Sequence, residues 1–318
     1  MIEPHPSKLA YTTREPVGVC GLIAPWNYPL VNVTWKLAPA LAAGNTVVVK
    51  TSEETPLSAL YLANLVLAAG FPAGVVNIMT GLGRTAGTAL VQHTDVNLIS
   101  FTGSTATAKE IMKLAAGTLK VVTLEAGGKS PLIVFEDADL QQAVRWAHAG
   151  IMSNQGQICS ATSRILVQRE VYEQFVTSFK EVVESSSMIG DSFEETTYQG
   201  PQVSQGQFQR VMSYIESGKK EGATLELGGK AIQITNGKGW YIAPTIFTNV
   251  TPQMTIYREE IFGPVVVINT FSTEEEAIER ANDTIFGLGA SIFTRDITRA
   301  HLVAKEIEAG SEYFSSSC

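Results

Sequence analysis

Thr46-Val47-Val48-Val49-Lys50 is followed by Ser58-Ala59-Leu60-Tyr61-Leu62-Ala63-Asn64-Leu65-Val66-Leu67-Ala68-Ala69 and then by Val75-Val76-Asn77-Ile78-Met79. The first run is β-branched and apolar on both faces, as in a strand covered on both sides. The second has the length of a short helix and is stopped by Gly70-Phe71-Pro72. The third is again a strand. A strand, a helix of this length and a second strand form the crossover that joins parallel neighbours.

Outward from this unit the alternation continues. Strands are expected at 16–24 and 98–102, helices at 30–43, 87–93 and 104–116, and a turn at 25–29. This is the pattern of a doubly wound parallel sheet. Beyond residue 118 a second α/β series follows. Strands are expected at 120–125, 132–135, 163–168, 265–271 and 288–293, and helices at 140–153, 170–183, 207–220, 273–282 and 297–307. Residues 196–203 read as loop and 232–241 as a polar hairpin. The fold class is α/β, a doubly wound parallel-sheet domain followed by a second α/β domain, with the Gly127-Gly128 pair as the expected hinge.

Of the 318 residues, 45% are hydrophobic and 17% charged, enough apolar material for a sizeable core. Lys+Arg is 23 against 31 Asp+Glu, a net charge of −8. That balance, with no basic cluster, argues against nucleic acid or an anionic membrane as main partner. Three cysteines, Cys20, Cys159 and Cys318, are too few and too dispersed for a disulfide framework, and no Cys/His spacing suits a metal. No targeting or membrane-spanning segment is read, so the expected location is the cytoplasm.

Five constellations could carry chemistry. Lys50-Thr51-Ser52-Glu53 ends a strand, where ligands of open parallel sheets bind. A carboxylate there can accept both hydroxyls of an adenosine ribose and would repel a 2′-phosphate, favouring NAD with NADP possible. Alone, it also reads as a solvated i, i+3 charge pair. Phe101-Thr102-Gly103-Ser104 leads a strand into a helix whose N-terminus can hold an anion, or is an ordinary cap. Gly81-Leu82-Gly83 follows another strand as a turn with a weak nucleotide signal. Cys159 sits in Asn154-Gln155-Gly156-Gln157-Ile158-Cys159, a polar loop after a helix, which suits a nucleophile. A buried inert thiol is the bland alternative, and the one assigned to Cys20; Cys318 reads as exposed. Glu125 closes an apolar strand at the hinge, where desolvation is expected to raise its pKa towards that of a general base. The competing reading is a carboxylate paired with Lys129 or exposed at a turn. Glu259-Glu260-Ile261-Phe262-Gly263-Pro264 makes a fixed turn that could contact a polar ligand.

In this order the sequence resembles the aldehyde dehydrogenase superfamily. The stretches that carry the resemblance are Pro25-Trp26-Asn27-Tyr28-Pro29, residues 50–53, Phe101-Thr102-Gly103-Ser104, Leu124-Glu125-Ala126-Gly127-Gly128-Lys129-Ser130-Pro131, Gln155-Gly156-Gln157-Ile158-Cys159 and residues 259–264. The resemblance implies an NAD(P)-dependent, non-phosphorylating enzyme that oxidises an aldehyde to a carboxylic acid. Cys159 matches the nucleophile, Asn27 the oxyanion donor and Glu125 the base that activates water. Lys50 and Glu53 match adenosine-ribose contacts, Trp26 and Ser104 the pyrophosphate lining, and Gly83 the adenine side. Glu260 matches the nicotinamide-ribose contact and Phe262 the nicotinamide neighbour. Phe101, Gly103, Gly127 and Gln207 belong to the same cofactor set, with Arg210 where the family has lysine. Asn32 and Trp35 match a wall of the substrate tunnel.

The resemblance also divides the sequence into a partial oligomerisation strand at 1–16, a cofactor domain at 17–127 and a catalytic domain at 128–318. Family members are longer at both ends. Their Phe-Gly-Gly-x-Lys-x-Ser-Gly segment and final β-arm have no counterpart here, so the homo-oligomer typical of the family is expected to be weakened. Ala126 also replaces a bulkier apolar residue. The alternative to an active enzyme is therefore a shortened, inactive remnant or a partner subunit. A reductase of acyl phosphate or acyl-CoA would use the same cysteine, but Glu125 weighs against it.

Overall fold

In the computed structural model, which describes residues 10–234 and 237–315, the apolar segments around Val47 become a parallel sheet. The chain divides into two compact units, Met1–Ala126 and Gly127–Cys318. The first contains β1 (Val19–Ile23), α1 (Pro29–Ala42), β2 (Thr46–Lys50), α2 (Leu57–Ala68), β3 (Val76–Met79), α3 (Thr88–Gln92), β4 (Leu98–Thr102), α4 (Thr105–Ala115) and β5 (Val121–Glu125). Its five strands lie in the order β3-β2-β1-β4-β5, all parallel. Period-two alternation sends the strand residues to opposite faces. Cys20, Leu22, Val47 and Val49 pack with Val33 and Leu37 of α1 and Ala59 of α2. Ile23, Ile99 and Phe101 pack with Leu90 and Val91 of α3 and Ala108 and Ile111 of α4. Helices therefore cover both faces, and strand order reverses between β1 and β4.

The second unit contains β6 (Pro131–Val134), α5 (Leu140–Met152), β7 (Arg164–Gln168), α6 (Tyr172–Ser186), α7 (Gln205–Glu221), β8 (Thr224–Leu227), β9 (Ala231–Ile232), β10 (Tyr241–Ile242), β11 (Thr245–Thr248), α8 (Thr255–Arg258), β12 (Val265–Phe271), α9 (Glu274–Asn282), β13 (Ala290–Phe293), α10 (Ile297–Glu306) and β14 (Glu312–Ser315). Seven strands run β14-β13-β6-β7-β12-β11-β8, with only β8 antiparallel. One face packs on α5 and α6 through Ala147, Ile151, Phe175 and Phe179. The other packs on α7 and α8 through Val211, Ile215 and Ile256, and on α9 and α10 through Ala277 and Val303. The helices start where side chains cap them: Asp139 accepts from Gln142 N and Asp296 from Arg299 N. Each such cap contributes about 1 kcal/mol.

Most element readings hold within a few residues. Strands β8, β11 and β14 were not read from the sequence, because Thr224–Leu227 is half polar and Thr245–Thr248 and Glu312–Ser315 are too short to show a period. The strand expected at the start is not found in residues 10–16, which are exposed and unpaired with any strand of this chain; residues 1–9 lie outside the described part. The 232–241 hairpin appears as the short β9–β10 pair, with 235 and 236 outside the described residues. Cys318 also lies outside them.

Candidate active site

Beyond the carboxyl ends of β1, β2 and β4 lies a cavity of about 620 Å³. Trp26, Lys50, Glu53, Gly83, Phe101, Gly103 and Ser104 all line it. It occupies the crevice where strand order reverses, the place where doubly wound sheets bind ligands. Ser104 caps α4 by accepting from Thr107 N at 3.3 Å, so the helix opens onto the cavity with its free amides and positive dipole end. At the far strand, Lys50 Nζ donates to Glu53 Oε2 at 2.9 Å and Gly83 N to Glu53 Oε1 at 3.5 Å. Burial pushes Glu53 up, but those bonds outweigh it and hold the carboxyl below its ordinary pKa. The charge pair and the ligand-facing carboxylate are thus one feature. Gly83 opens a single π-turn, Gly83–Gly87, an irregularity frequent at functional sites.

Asn27 lies in the turn between β1 and α1, and Glu125 ends β5 opposite Thr102. Glu125 was expected to be desolvated. It is exposed, because β5 is an edge strand and Glu125 its last residue. Sequence reading missed Lys36, the sole charge of the apolar α1. Its Nζ donates to Thr102 Oγ1 at 2.6 Å. Burial lowers the Lys36 pKa, and the negative charge of Glu125 partly restores it. Asn32 is used locally, donating to Tyr28 O at 3.0 Å, and Trp35 is exposed.

The second unit carries the remaining candidates on loops and, for Gln207 and Arg210, on α7. Gly128 N donates to Glu260 Oε1 at 3.0 Å. A Cβ on Gly127 would lie 2.2 Å from Glu260 Oε2, and one on Gly128 would lie 2.3 Å from the Cys159 carbonyl oxygen. Gly128 is therefore required by close approach of main chain, whereas a side chain at Gly127 would have to displace the Glu260 carboxylate. Burial raises the Glu260 pKa, against the pull of the Gly128 N–H, Arg210 and Lys129. Gln207 Nε2 donates to Phe262 O at 2.7 Å, and Arg210 to Glu260 O at 3.1 Å. Phe262 takes φ 61°, a left-handed conformation that costs about 1 kcal/mol for a residue with a Cβ. Gln207 holds it there.

Cys159 is half-buried. It follows a run of left-handed residues, Asn154 at φ 47° and Gln155 at φ 57°, then Gly156 at φ 71°. Lys129, next to the glycine pair, is 1% exposed. Its Nζ has no hydrogen-bond partner among the described residues. Among those residues there is no cluster of His, Cys, Asp or Glu arranged to hold a metal, and no helix long and apolar enough to cross a membrane.

The geometry gives a nucleotide-sized cavity in one unit and a strained cysteine loop beside a half-buried carboxylate in the other. The sequence profile of the aldehyde dehydrogenase family matches residues 1–317. The chain belongs to the aldehyde dehydrogenase family. An aldehyde dehydrogenase-like protein of Schizosaccharomyces pombe is 53% identical over 317 residues, which is 100% of this chain and 64% of that protein. Retinal dehydrogenase 2 of Mus musculus is 52% identical over 308 residues, 96% of this chain and 58% of its own length. The NAD+ complex of an aldehyde dehydrogenase from Bacillus cereus superposes with a TM-score of 0.92 at 50% identity, covering 96% of this chain and 61% of that one. The chain thus spans under two thirds of the length of these family members.

Proposed function

We propose that this chain binds NAD in the cavity beyond β1, β2 and β4 and takes part in oxidising an aldehyde to a carboxylic acid. The observation that carries the reading is the convergence of seven motif residues on that one cavity. The residues suit the cofactor. Glu53 offers a carboxylate to ribose hydroxyls, Ser104 and the α4 N-terminus offer donors to a pyrophosphate, and Trp26 and Phe101 offer apolar surface. In the second unit Glu260 and Phe262 are the residues whose motif matches a nicotinamide-riboside contact, and Gln207 fixes Phe262. The relative from Bacillus cereus is an NAD+ complex, which agrees with this choice.

Bound NAD supplies the hydride acceptor. Cys159, as thiolate, adds through Sγ to the aldehyde carbon, and the C=O electron pair moves onto oxygen. The family resemblance assigns to Asn27 the side-chain N–H that stabilises such an oxyanion, where charge develops. With the cofactor in place, loss of hydride to it would re-form the carbonyl and leave the acyl group as a thioester on Cys159. Glu125 takes a proton from water, the hydroxide adds to the thioester carbon, and the C–S bond breaks to release the acid and the thiolate. The exposure of Glu125 gives it direct access to solvent water.

The test is NADH formation by the chain with short, aromatic and amino aldehydes, beside Cys159→Ala, with NAD affinity read by calorimetry. Turnover should vanish in the variant while NAD affinity stays within about twofold. Absence of turnover with every aldehyde would overturn the catalytic part, and absence of NAD binding the cofactor part.

A further inference from the structure

The run 154–156 is held from outside by a segment with no part in the proposed chemistry. Helix α5 ends at Met152, and its last carbonyls lack intrahelical partners. Gln199 Nε2 donates to Met152 O at 2.9 Å, and Gln202 Nε2 donates to Gln155 O at 3.3 Å. Val203 N donates to Gln157 Oε1 at 3.0 Å, and the Gln155 amide, suitably turned, accepts from Gly200 N at 2.9 Å. Four successive contacts therefore run from residues 199–203 to residues 152–157. The segment is itself anchored: Gln199 N donates to Met188 O and Gln202 N to Trp240 O, at 2.9 and 2.8 Å.

Both glutamines are buried, at 1% and 2% exposure. In each, the amide oxygen has no partner among the described residues. A buried amide that is only half satisfied is unfavourable for stability, so an apolar residue of the same shape would serve the core better. What the glutamines add is their N–H donors, one to the last residue of α5 and one to the loop that follows it and precedes Cys159.

We propose that Gln199 and Gln202 form a clamp that positions the nucleophile, fixing the left-handed run 154–156 so that Cys159 is presented half-exposed. They are positioning residues, acting through Met152 and Gln155 on Cys159. The proposal rests on the reading of Cys159 as nucleophile.

The test uses Q199M, Q202M and the double variant, which keep side-chain volume and remove the donors. Alkylation of Cys159 by iodoacetamide at pH 8, followed on the Cys159 peptide by mass spectrometry, should slow at least fivefold in the double variant. kcat should fall in step, with the aldehyde KM and NAD affinity within twofold of the parent. A merely structural role would lower the thermal midpoint and leave the alkylation rate of the folded chain alone. Cys159 alkylation within twofold of the parent in a folded double variant overturns the clamp. Should the methionine variants lose the native fold, Q202E decides. Its carboxylate has nearly the same size and accepts but cannot donate, so a fivefold fall supports the clamp and a rate within twofold removes it. Alkylation reads the thiol whether or not any aldehyde turns over. A chain in which C159A still forms NADH would sink the nucleophile reading and leave the clamp measurement standing.

Discussion

The two units present their candidate residues at opposite ends of their strands. In the first, Trp26 and Asn27 follow β1, Lys50 ends β2 with Glu53 just beyond, Gly103 and Ser104 follow β4, and Glu125 ends β5. In the second, Gly127 and Gly128 precede β6, Cys159 precedes β7, and Glu260 and Phe262 precede β12. At the carboxyl ends a parallel sheet offers helix N-termini and a crevice without special effort. At the amino ends it offers neither, so the loops must be fixed by other means. Here the means are side-chain amides on carbonyls, from Gln199, Gln202 and Gln207, and glycines that allow backbone to touch backbone. The difference teaches that one unit owes its site to topology and the other to individual residues.

Gly156→Ala attacks that dependence most directly. Gly156 has φ 71°, and a Cβ there would lie 2.0 Å from the Gly263 carbonyl oxygen. Both the backbone conformation and the space are wrong for alanine, and the obstacle is main chain that cannot rotate away. Destabilisation should reach about 3–5 kcal/mol in urea unfolding. A loss under about 1 kcal/mol would mean that the loop before Cys159 has slack, and would break the contrast between the units.

Two buried lysines sharpen it next. Lys50, in the first unit, is 4% exposed and pairs with Glu53. Lys129, in the second, has no hydrogen-bond partner among the described residues, and its pKa is lowered from 10.5 to about 7 by burial first and then by Arg164, against the raising effect of Glu260 and Glu259. Between those values the unfolded chain binds the proton that the folded chain releases, so stability must rise with pH across the window, by at most about 1.4 kcal/mol per unit. Below pH 7 both states are charged and the penalty is complete. K129M should therefore be more stable than the parent at pH 6.5, with the gap narrowing at pH 8 and again at 9.5. A gap independent of pH would mean that Lys129 finds a partner in solution.

How legible each unit was follows from the same contrast. The first announces itself in sequence because period, turn and motif coincide: Val47 and Val49 point to one face, the strand ends, and Glu53 stands beyond it. Its sheet and seven of the residues that line the cavity could be named. Lys36 was missed because a lysine in a helix reads as a solvated face, although an apolar helix with a single charge was the available signal. In the second unit Cys159 and Glu260 were legible only as motifs. The contacts that hold them join residues about 45 to 130 positions apart, such as Gln202 with Gln155 and Gly128 with Glu260, and no local pattern encodes them. Glu125 was misjudged for the same reason: its exposure depends on β5 being an edge strand, which is a property of strand order and not of the residues around it.

The smallest expected effect belongs to Glu53→Gln. The exchange keeps the shape of the cavity rim but removes the charge that Lys50 and the Gly83 N–H hold. An amide oxygen still accepts a hydrogen bond, less strongly than a carboxylate, and the difference for a charge-assisted bond is about 1 kcal/mol. NAD affinity should therefore fall about fivefold, and the preference against NADP should fall with it, since the repulsion of a 2′-phosphate is gone. Alkylation of Cys159 should not change, because that thiol is set by the second unit's own loop contacts. If E53Q altered thiol reactivity as much as cofactor affinity, the two units would not be chemically separable, and the division between a site made by topology and a site made by residues would have to be given up.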